Sequence, residues 1–194
     1  GEAAKHGKRV QCLCEAKNHA LVLEDAPIAR TAAGIINSSF GCAGERCMAL
    51  PVVVVQESIA DALVEEIVKQ VKTKKVGPAY EKDTDLGPVV TAEHKKFVCD
   101  WIQKGIDEGA KVVLDGRDIK VEGYENGFYV GHTILDHVTE EMTVGQREIF
   151  GPVLCIKRVK DFEEGLKVMN ANPFANGSVI FTQNGHYARE FAKR

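Results

Sequence analysis

The chain has 194 residues, 44% of them hydrophobic, and its 25 basic and 28 acidic residues leave a net charge of -3. That length can bury one good core, so we expect one domain. The sequence shows no basic stripe that could bind nucleic acid, no apolar run near the roughly 20 residues of a membrane span and no signal pattern at its start. We therefore expect neither nucleic acid nor a membrane as a partner. We expect an intracellular protein, in the cytoplasm or, in a eukaryote, in the mitochondrial matrix.

The first third of the chain predicts a strand, a helix and a second strand. Residues 18–23 form a short apolar run, and Asp25 and Pro27 then offer a cap and an early-turn proline for a helix to about residue 39. A loop over residues 40–47 leads into the β-branched run at 50–56, which is typical of a buried strand. Cys47 is therefore expected directly before a core strand.

The remaining elements alternate between helices and strands. An apolar residue at every fourth position predicts an amphipathic helix over 58–72, and Gly109 closes a second helix over 91–108. Loops are predicted at 72–85 and 115–131 from their polar and glycine-rich composition. Further predicted elements are strands at 112–114, 154–159 and 178–181 and helices at 161–170 and from 188 onward. This alternation predicts an α/β domain with a largely parallel sheet.

The six cysteines lie at uneven spacings, which favours reduced thiols over a disulfide framework. Cys12, Cys14 and His19 are the only candidate zinc ligands, but they form a CxC pair where structural zinc sites usually have CxxC, and no second pair accompanies them. No metal site is therefore expected. His19, His132 and His137 are interpreted as structural.

Cys47 has the surroundings of a nucleophile. Gly41 and Gly44 open the backbone of its loop, and Arg46 brings positive charge that favours a thiolate. The competing interpretation is a buried structural cysteine, because cysteine is among the most buried residue types. Cys42, in a more apolar neighbourhood, is interpreted as structural. Spacing alone leaves both interpretations of Cys47 open.

Two motifs resemble the signatures of the aldehyde dehydrogenase superfamily: Phe40-Gly-Cys-Ala-Gly-Glu-Arg-Cys47 and Glu148-Ile-Phe-Gly-Pro-Val153. The resemblance implies that Cys47 forms the thiohemiacetal with the aldehyde. It also implies NAD as cofactor, with Glu148 on the nicotinamide ribose hydroxyls and Phe150 beside the nicotinamide. The resemblance covers essentially the whole chain and implies the fold of the family's catalytic domain, a doubly wound, largely parallel sheet flanked by helices.

Other short segments look most like the methylmalonate-semialdehyde dehydrogenases, among them Ala16-Lys17-Asn18-His19. Hydrolytic relatives have a water-activating glutamate four residues before the lysine that matches Lys17, and this chain has Leu13 there. A thioester without that base can wait for the thiol of coenzyme A, which is a better nucleophile than water. The resemblance therefore implies CoA-acylating oxidation of methylmalonate or malonate semialdehyde to propionyl-CoA or acetyl-CoA, with release of carbon dioxide.

Alternatives remain for the residues near this site. If residues 13–15 are extended, Glu15 lies on the same side as Leu13 and could replace the missing base, which keeps a hydrolytic enzyme open; otherwise Glu15 is a solvated side chain. Arg46 either clamps the substrate carboxylate or forms a salt bridge within its loop. Lys17 is interpreted as a surface lysine. Without the motif, Glu148 and Phe150 would be a surface acid and a core aromatic. After the CoA-acylating and the hydrolytic enzyme, the third functional hypothesis is a non-catalytic module of the same fold.

The sequence also suggests missing parts. No GxGxxG pattern or strand-glycine-helix unit precedes residue 25, and the chain ends inside a helical pattern. We therefore expect residues 1–194 to form a catalytic domain without the NAD-binding Rossmann domain and the carboxyl-terminal oligomerisation segment of the family, unable on its own to bind NAD tightly or turn over. The resemblance implies a homo-oligomer, a dimer or tetramer.

Overall fold

The computed structural model describes residues 1–11, 15–174 and 176–194. In chain order its elements are α1 (Glu2–Lys5), β1 (His19–Val22), α2 (Ile28–Phe40), β2 (Val52–Gln56), α3 (Glu57–Val71), α4 (Ala92–Asp107), β3 (Lys111–Leu114), β4 (Thr133–Asp136), β5 (Val153–Val159), α5 (Phe162–Asn170), β6 (Ser178–Phe181) and α6 (Gly185–Lys193). Short 3-10 turns cover Gly41–Gly44 and Thr143–Gly145. Every predicted helix and strand is present.

The six strands form one sheet in the order β3-β4-β5-β2-β1-β6. All neighbouring pairs are parallel except β3 and β4, which are antiparallel. Strand order reverses at β1, because β2 lies on one side of it and β6 on the other. The predicted doubly wound, largely parallel sheet is thus confirmed.

The core lies on both faces of the central strands. All four residues of β1 and the four valines of β2 are buried, and successive side chains of a strand point to opposite faces, so both faces are covered. Helices α2 and α3 pack on each other, and α5 packs against β1, β2 and β5. Among the described residues, no helix has the length and apolar character that crossing a membrane requires.

Besides the short helix α1, which was not predicted, two details differ from the sequence prediction. Strand β4 was not predicted, because its four residues end in an aspartate and show no alternation; Asp136 is nonetheless buried, with its carboxylate 2.7 Å from the Arg158 guanidinium. Asp25 does not cap α2, which begins after Pro27 without a side-chain cap. The Asp25 carboxylate instead accepts hydrogen bonds from the Thr182 hydroxyl and the Gln183 amide just after β6.

Candidate functional site

The candidate site lies at the amino ends of three adjacent parallel strands. Asn18 directly precedes β1, the Cys47 loop precedes β2 and residues 148–151 precede β5. Because β1, β2 and β5 are neighbours and run in the same direction, their amino ends meet at one edge of the sheet. They enclose a small recess of about 20 Å³, here called the amino-end recess. Its lining includes all four site residues predicted from the sequence, Arg46, Cys47, Glu148 and Phe150.

Asn18 fixes the backbone at the nucleophile. Its side-chain Nδ2 donates to the Cys47 carbonyl at 3.0 Å and to the Ala49 carbonyl at 2.7 Å, and its Oδ1 accepts from the Gly177 amide at 2.9 Å. Asn18 is buried, whereas Cys47 is a free, exposed cysteine. The buried Asn18 amide group thus joins three segments: the residues that lead into β1, the Cys47 loop and the segment that leads into β6. The sequence analysis did not identify this role, since the partners are far apart in the chain.

The Cys47 loop has a left-handed backbone that brings it against the second motif. Cys42, Ala43 and Gly44 have φ values of 53°, 55° and 72°. A Cβ on Gly44 would lie 2.2 Å from the Gly151 carbonyl oxygen, closer than any real Cβ contact. Only glycine fits there, because both its backbone angle and its space exclude a side chain. The two motifs are therefore in direct backbone contact.

Arg46 is not held by an acid in the part of the chain that the structure describes. Its Nε donates to the Cys42 Sγ at 3.2 Å, and no carboxylate lies within salt-bridge distance of it in the described ranges. The predicted salt bridge within the loop is not formed there. Cys42 is exposed and accepts from this guanidinium, so the apolar surroundings predicted for it were wrong.

Glu148 and Phe150 both face the amino-end recess. The half-buried Glu148 carboxylate accepts a long hydrogen bond, 3.4 Å, from the Ala16 amide. Phe150 is 38% exposed and has a φ of 56°, so it is not a core aromatic. Its carbonyl oxygen accepts from the His94 ring at 2.7 Å. His94 is a second residue near the site that the sequence analysis missed.

Lys17 is not a surface residue. Its side chain is 1% exposed, its Nζ has no hydrogen-bond partner among the described residues, and burial lowers its pKa, partly opposed by the neighbouring Cys155. The surface interpretation was wrong because side-chain burial depends on the strands around it, which local sequence does not reveal. Next to it, His19 Nδ1 donates to the Lys17 carbonyl at 2.7 Å, and burial lowers the His19 pKa to about 4.

Glu15 lies outside the lining of the amino-end recess. Its carboxylate pairs with the Arg147 guanidinium at 3.2 Å, and both side chains are largely exposed. Cys12, Leu13 and Cys14, on which the zinc alternative and the missing-base argument depend, lie outside the described residues. Elsewhere in the structure as described, no three His, Cys, Asp or Glu side chains are grouped as metal ligands.

The comparisons with known proteins agree with this geometry. The model of the aldehyde dehydrogenase family matches residues 1–194. Malonate-semialdehyde dehydrogenase 1 of Oceanobacillus iheyensis is 48% identical over 97% of this chain and 39% of the relative.

Solved structures agree as well. The crystal structure of methylmalonate-semialdehyde dehydrogenase from Oceanimonas doudoroffii has a TM-score of 0.95 and 44% identity, over 99% of this chain and 40% of that one. The 1-pyrroline-5-carboxylate dehydrogenase from Thermus, solved with bound NAD, has a TM-score of 0.85 and 32% identity, over 93% and 34%. The chain spans about two fifths of the length of the curated relatives it matches. The chain belongs to the aldehyde dehydrogenase family.

Proposed function

We propose that this chain is the catalytic domain of an NAD-dependent, CoA-acylating dehydrogenase of methylmalonate or malonate semialdehyde, with Cys47 as nucleophile. The observation that carries the proposal is the placement of the exposed Cys47 thiol in the same recess as Glu148 and Phe150. A nucleophile and a cofactor-binding pair have to face one reacting carbon, and residues about 100 positions apart in sequence meet here because β2 and β5 are paired.

The chemistry begins at the Cys47 sulfur. The thiolate forms an S–C bond to the aldehyde carbon, and the carbonyl π electrons move to the oxygen, where an N–H donor stabilises the negative charge. The Cys47 amide N–H serves as that donor, since it has no acceptor among the described residues. The recess would hold the nicotinamide of NAD, which would supply the acceptor for the hydride that leaves this carbon as the oxygen re-forms its double bond. A thioester on Cys47 remains.

The residues present fit the nicotinamide end of NAD. Glu148 offers a half-buried carboxylate, which accepts hydrogen bonds from sugar hydroxyls, and Phe150 exposes an aromatic face at the rim of the same recess. The recess, at about 20 Å³, is too small to hold a whole dinucleotide. We therefore propose that a separate Rossmann-type domain supplies the rest of the NAD site and that the isolated chain neither binds NAD tightly nor turns over.

The placement of Glu15 supports coenzyme A over water as the acyl acceptor. Activation of water requires a carboxylate within hydrogen-bond reach of the thioester, about 3 Å or one water away. Glu15 pairs with Arg147 outside the amino-end recess. The thiol of coenzyme A attacks the thioester carbon, the S–C bond to Cys47 breaks, and the Cys47 thiolate is released. The C–C bond to the substrate carboxylate breaks, carbon dioxide leaves, and the α-carbon takes up a proton, which balances the proton lost by the coenzyme A thiol; the product is propionyl-CoA or acetyl-CoA.

Arg46 supports a substrate that carries a carboxylate. Its guanidinium lines the recess beside the nucleophile and is free of acidic partners among the described residues. A guanidinium pairs with a carboxylate through two parallel hydrogen bonds, which would orient a semialdehyde acid. We expect Arg46→Leu to lower kcat/KM for the semialdehyde at least about 100-fold, the scale of a lost charge-assisted pair, and for propanal much less. An equal loss on both substrates would exclude the clamp.

The decisive assay uses the enzyme in which this chain is joined to its NAD-binding domain. With malonate or methylmalonate semialdehyde and NAD, we expect acyl-CoA and NADH to appear together only when coenzyme A is present. NADH formation with free acid and without coenzyme A would instead support the hydrolytic enzyme. Iodoacetamide labelling of Cys47 ahead of the other five thiols, and above all ahead of the likewise exposed Cys42, would count against a non-catalytic module.

A further inference from the structure

His94 lies where the two motif loops meet the start of α4. It is in the first turn of that helix, and its amide donates to the hydroxyl of the N-cap residue Thr91 at 3.0 Å. Its ring stacks on Phe97, with ring centres 5.6 Å apart and an interplanar angle of 18°. The side chain is 20% exposed, so the ring is anchored on the helix.

One nitrogen of His94 faces both loops. Its Nε2 lies 2.7 Å from the Phe150 carbonyl oxygen and 3.4 Å from Glu45 Oε1. A carbonyl oxygen and a carboxylate can only accept, so Nε2 carries a hydrogen whatever the state of the other ring nitrogen. The imidazole therefore acts as a donor to the second motif beside a carboxylate of the first.

The two acceptors are the carbonyl of a strained backbone residue and a side-chain carboxylate that is itself held in place. Phe150 has the left-handed φ of 56°, which costs a non-glycine residue roughly 1 kcal/mol or more and persists only when its surroundings hold it. Glu45 is 15% exposed, and its Oε1 also accepts from the Val90 amide at 3.1 Å. Glu45 lies directly between Gly44, which touches Gly151, and Arg46. His94 therefore donates a hydrogen bond to Phe150 and lies 3.4 Å from the Glu45 carboxylate at the place where the loops touch.

We propose that His94 is a positioning residue, which holds the Phe150 carbonyl in its left-handed conformation and thereby sets the Phe150 ring relative to Cys47. The catalytic consequence rests on the proposed function, because it assumes that nicotinamide packs beside Phe150. The positioning itself does not. Helix α4 also supports the second motif through Val98, whose Cγ2 would lie 2.6 Å from a Cβ on Gly151, so a packing role for the helix alone has to be separated from the hydrogen bond.

The test compares His94→Leu, which removes the donor, with His94→Gln, whose amide NH₂ can replace Nε2–H. The control is His186→Leu, an exposed histidine in the first turn of α6. Amide hydrogen exchange by mass spectrometry reports on segments 41–47 and 148–152 of the whole chain. We expect about tenfold faster exchange in both segments for His94→Leu, the scale of one lost hydrogen bond. His94→Gln and His186→Leu should resemble the wild type.

Equal acceleration in the Leu and Gln variants would assign the effect to packing and overturn the proposal, as would unchanged exchange in both. If His94→Leu does not fold, Glu45→Gln replaces it as the weakening variant, with faster exchange of both segments expected and unchanged exchange counting against the proposal. In the enzyme with its NAD-binding domain, His94→Leu should raise KM for NAD several-fold with a smaller change in kcat, rescued by Gln. A wild-type enzyme without dehydrogenase activity would contradict the proposed function and leave the exchange result standing.

Discussion

The amino-end recess lies at the amino ends of β1, β2 and β5, and a much larger cleft lies at the carboxyl ends of β4 and β5. The carboxyl-end cleft, formed by residues 137–141, residues 157–161 and α5, has a volume of about 750 Å³, against about 20 Å³ for the recess. Ligands of open α/β sheets usually bind at the carboxyl ends of strands, which would favour the cleft.

The side chains of the two regions favour the recess over the cleft as the active site. Two charged groups of the cleft are held in ion pairs, Arg158 with Asp136 at 2.7 Å and Glu163 with Arg194 at 2.6 Å, and the lining of the cleft contains no cysteine. The recess instead presents Cys47 and Arg46, with no ionic partner for either within the described ranges. A thiol beside a guanidinium therefore identifies the candidate site better than volume does, and a small recess is consistent with the proposal that a second domain completes the site.

Removal of the thiol is the sharpest test of this comparison. We expect Cys47→Ser to lower kcat by at least about 10³-fold in the enzyme with its NAD-binding domain, because a neutral hydroxyl is a far weaker nucleophile than a thiolate. Steady-state NADH formation measures it, with Cys99→Ser as the control that keeps activity. Retained activity in Cys47→Ser would show that Cys47 is not the nucleophile and that the amino-end recess is not the active site.

Gly44→Ala should have the next largest effect, through the contact between the loops. A Cβ there would meet the Gly151 carbonyl at 2.2 Å at a residue with φ of 72°. We expect the free energy of unfolding to fall by roughly 3 kcal/mol, from backbone strain and overpacking together. Urea unfolding measures it. Gly123→Ala is the control for the angle alone, since its φ is 77° and nothing lies near its Cβ; an equal loss in both variants would show that the contact between the loops is unimportant.

Asn18→Ala tests the buried amide beneath the nucleophile. It removes the donor to the Cys47 and Ala49 carbonyls and the acceptor for the Gly177 amide. We expect a loss of about 2 kcal/mol in unfolding free energy, from unsatisfied buried groups, and a changed rate of Cys47 alkylation by iodoacetamide. Asn170→Ala, whose amide donates to the exposed Arg194 carbonyl, is the control. If Cys47 is alkylated in Asn18→Ala at the same rate as in the wild type, Asn18 does not position the nucleophile.

Mild acid should weaken the recess side of the sheet through His132, which packs edge-on against Phe40 at the start of the Cys47 loop. Burial lowers the pKa of His132 from 6.5 to about 4. Between these values the unfolded chain binds the proton and the folded chain does not, so stability present above pH 6.5 is lost as the pH falls toward 4. Between about pH 7 and pH 5.5 the free energy of unfolding should fall in both proteins, and we expect the fall to be smaller in His132→Phe by on the order of 1 kcal/mol. Parallel pH profiles of the two unfolding free energies would contradict this.

The smallest effect should come from the cleft. Glu163→Gln breaks the exposed ion pair with Arg194, and exposed pairs contribute little. Neither the rate of Cys47 alkylation nor dehydrogenase activity should change. Loss of activity in this variant would reverse the ranking of the two regions.

Much of the fold could be predicted because its signals are local. The four-residue spacing of α3 and the β-branched run of β2 follow from neighbouring residues. The site residues Cys47, Glu148 and Phe150 were placed by short motifs, and their shared recess follows from the pairing of β2 with β5.

The failures depend on tertiary structure. Lys17 is buried because strands from elsewhere in the chain cover it, whereas Cys42 lies in a loop that leaves it exposed. Asn18 bonds to a residue 159 positions away, and His94 to one 56 positions away. No local pattern reveals such partners, so the predicted site lacked the residues that hold its backbone in place.

The bonds of Asn18 also bear on how the protein folds. Its partners lie 29, 31 and 159 positions along the chain, so the nucleophile gains its full set of anchors only after the last strand, β6, has been brought beside β1. Contacts of such long sequence separation form late, because closing a long loop costs entropy before the contact compensates for it. A nascent chain on the ribosome would therefore carry an exposed but unorganised thiol, and the reactivity of that thiol would report completed folding rather than synthesis.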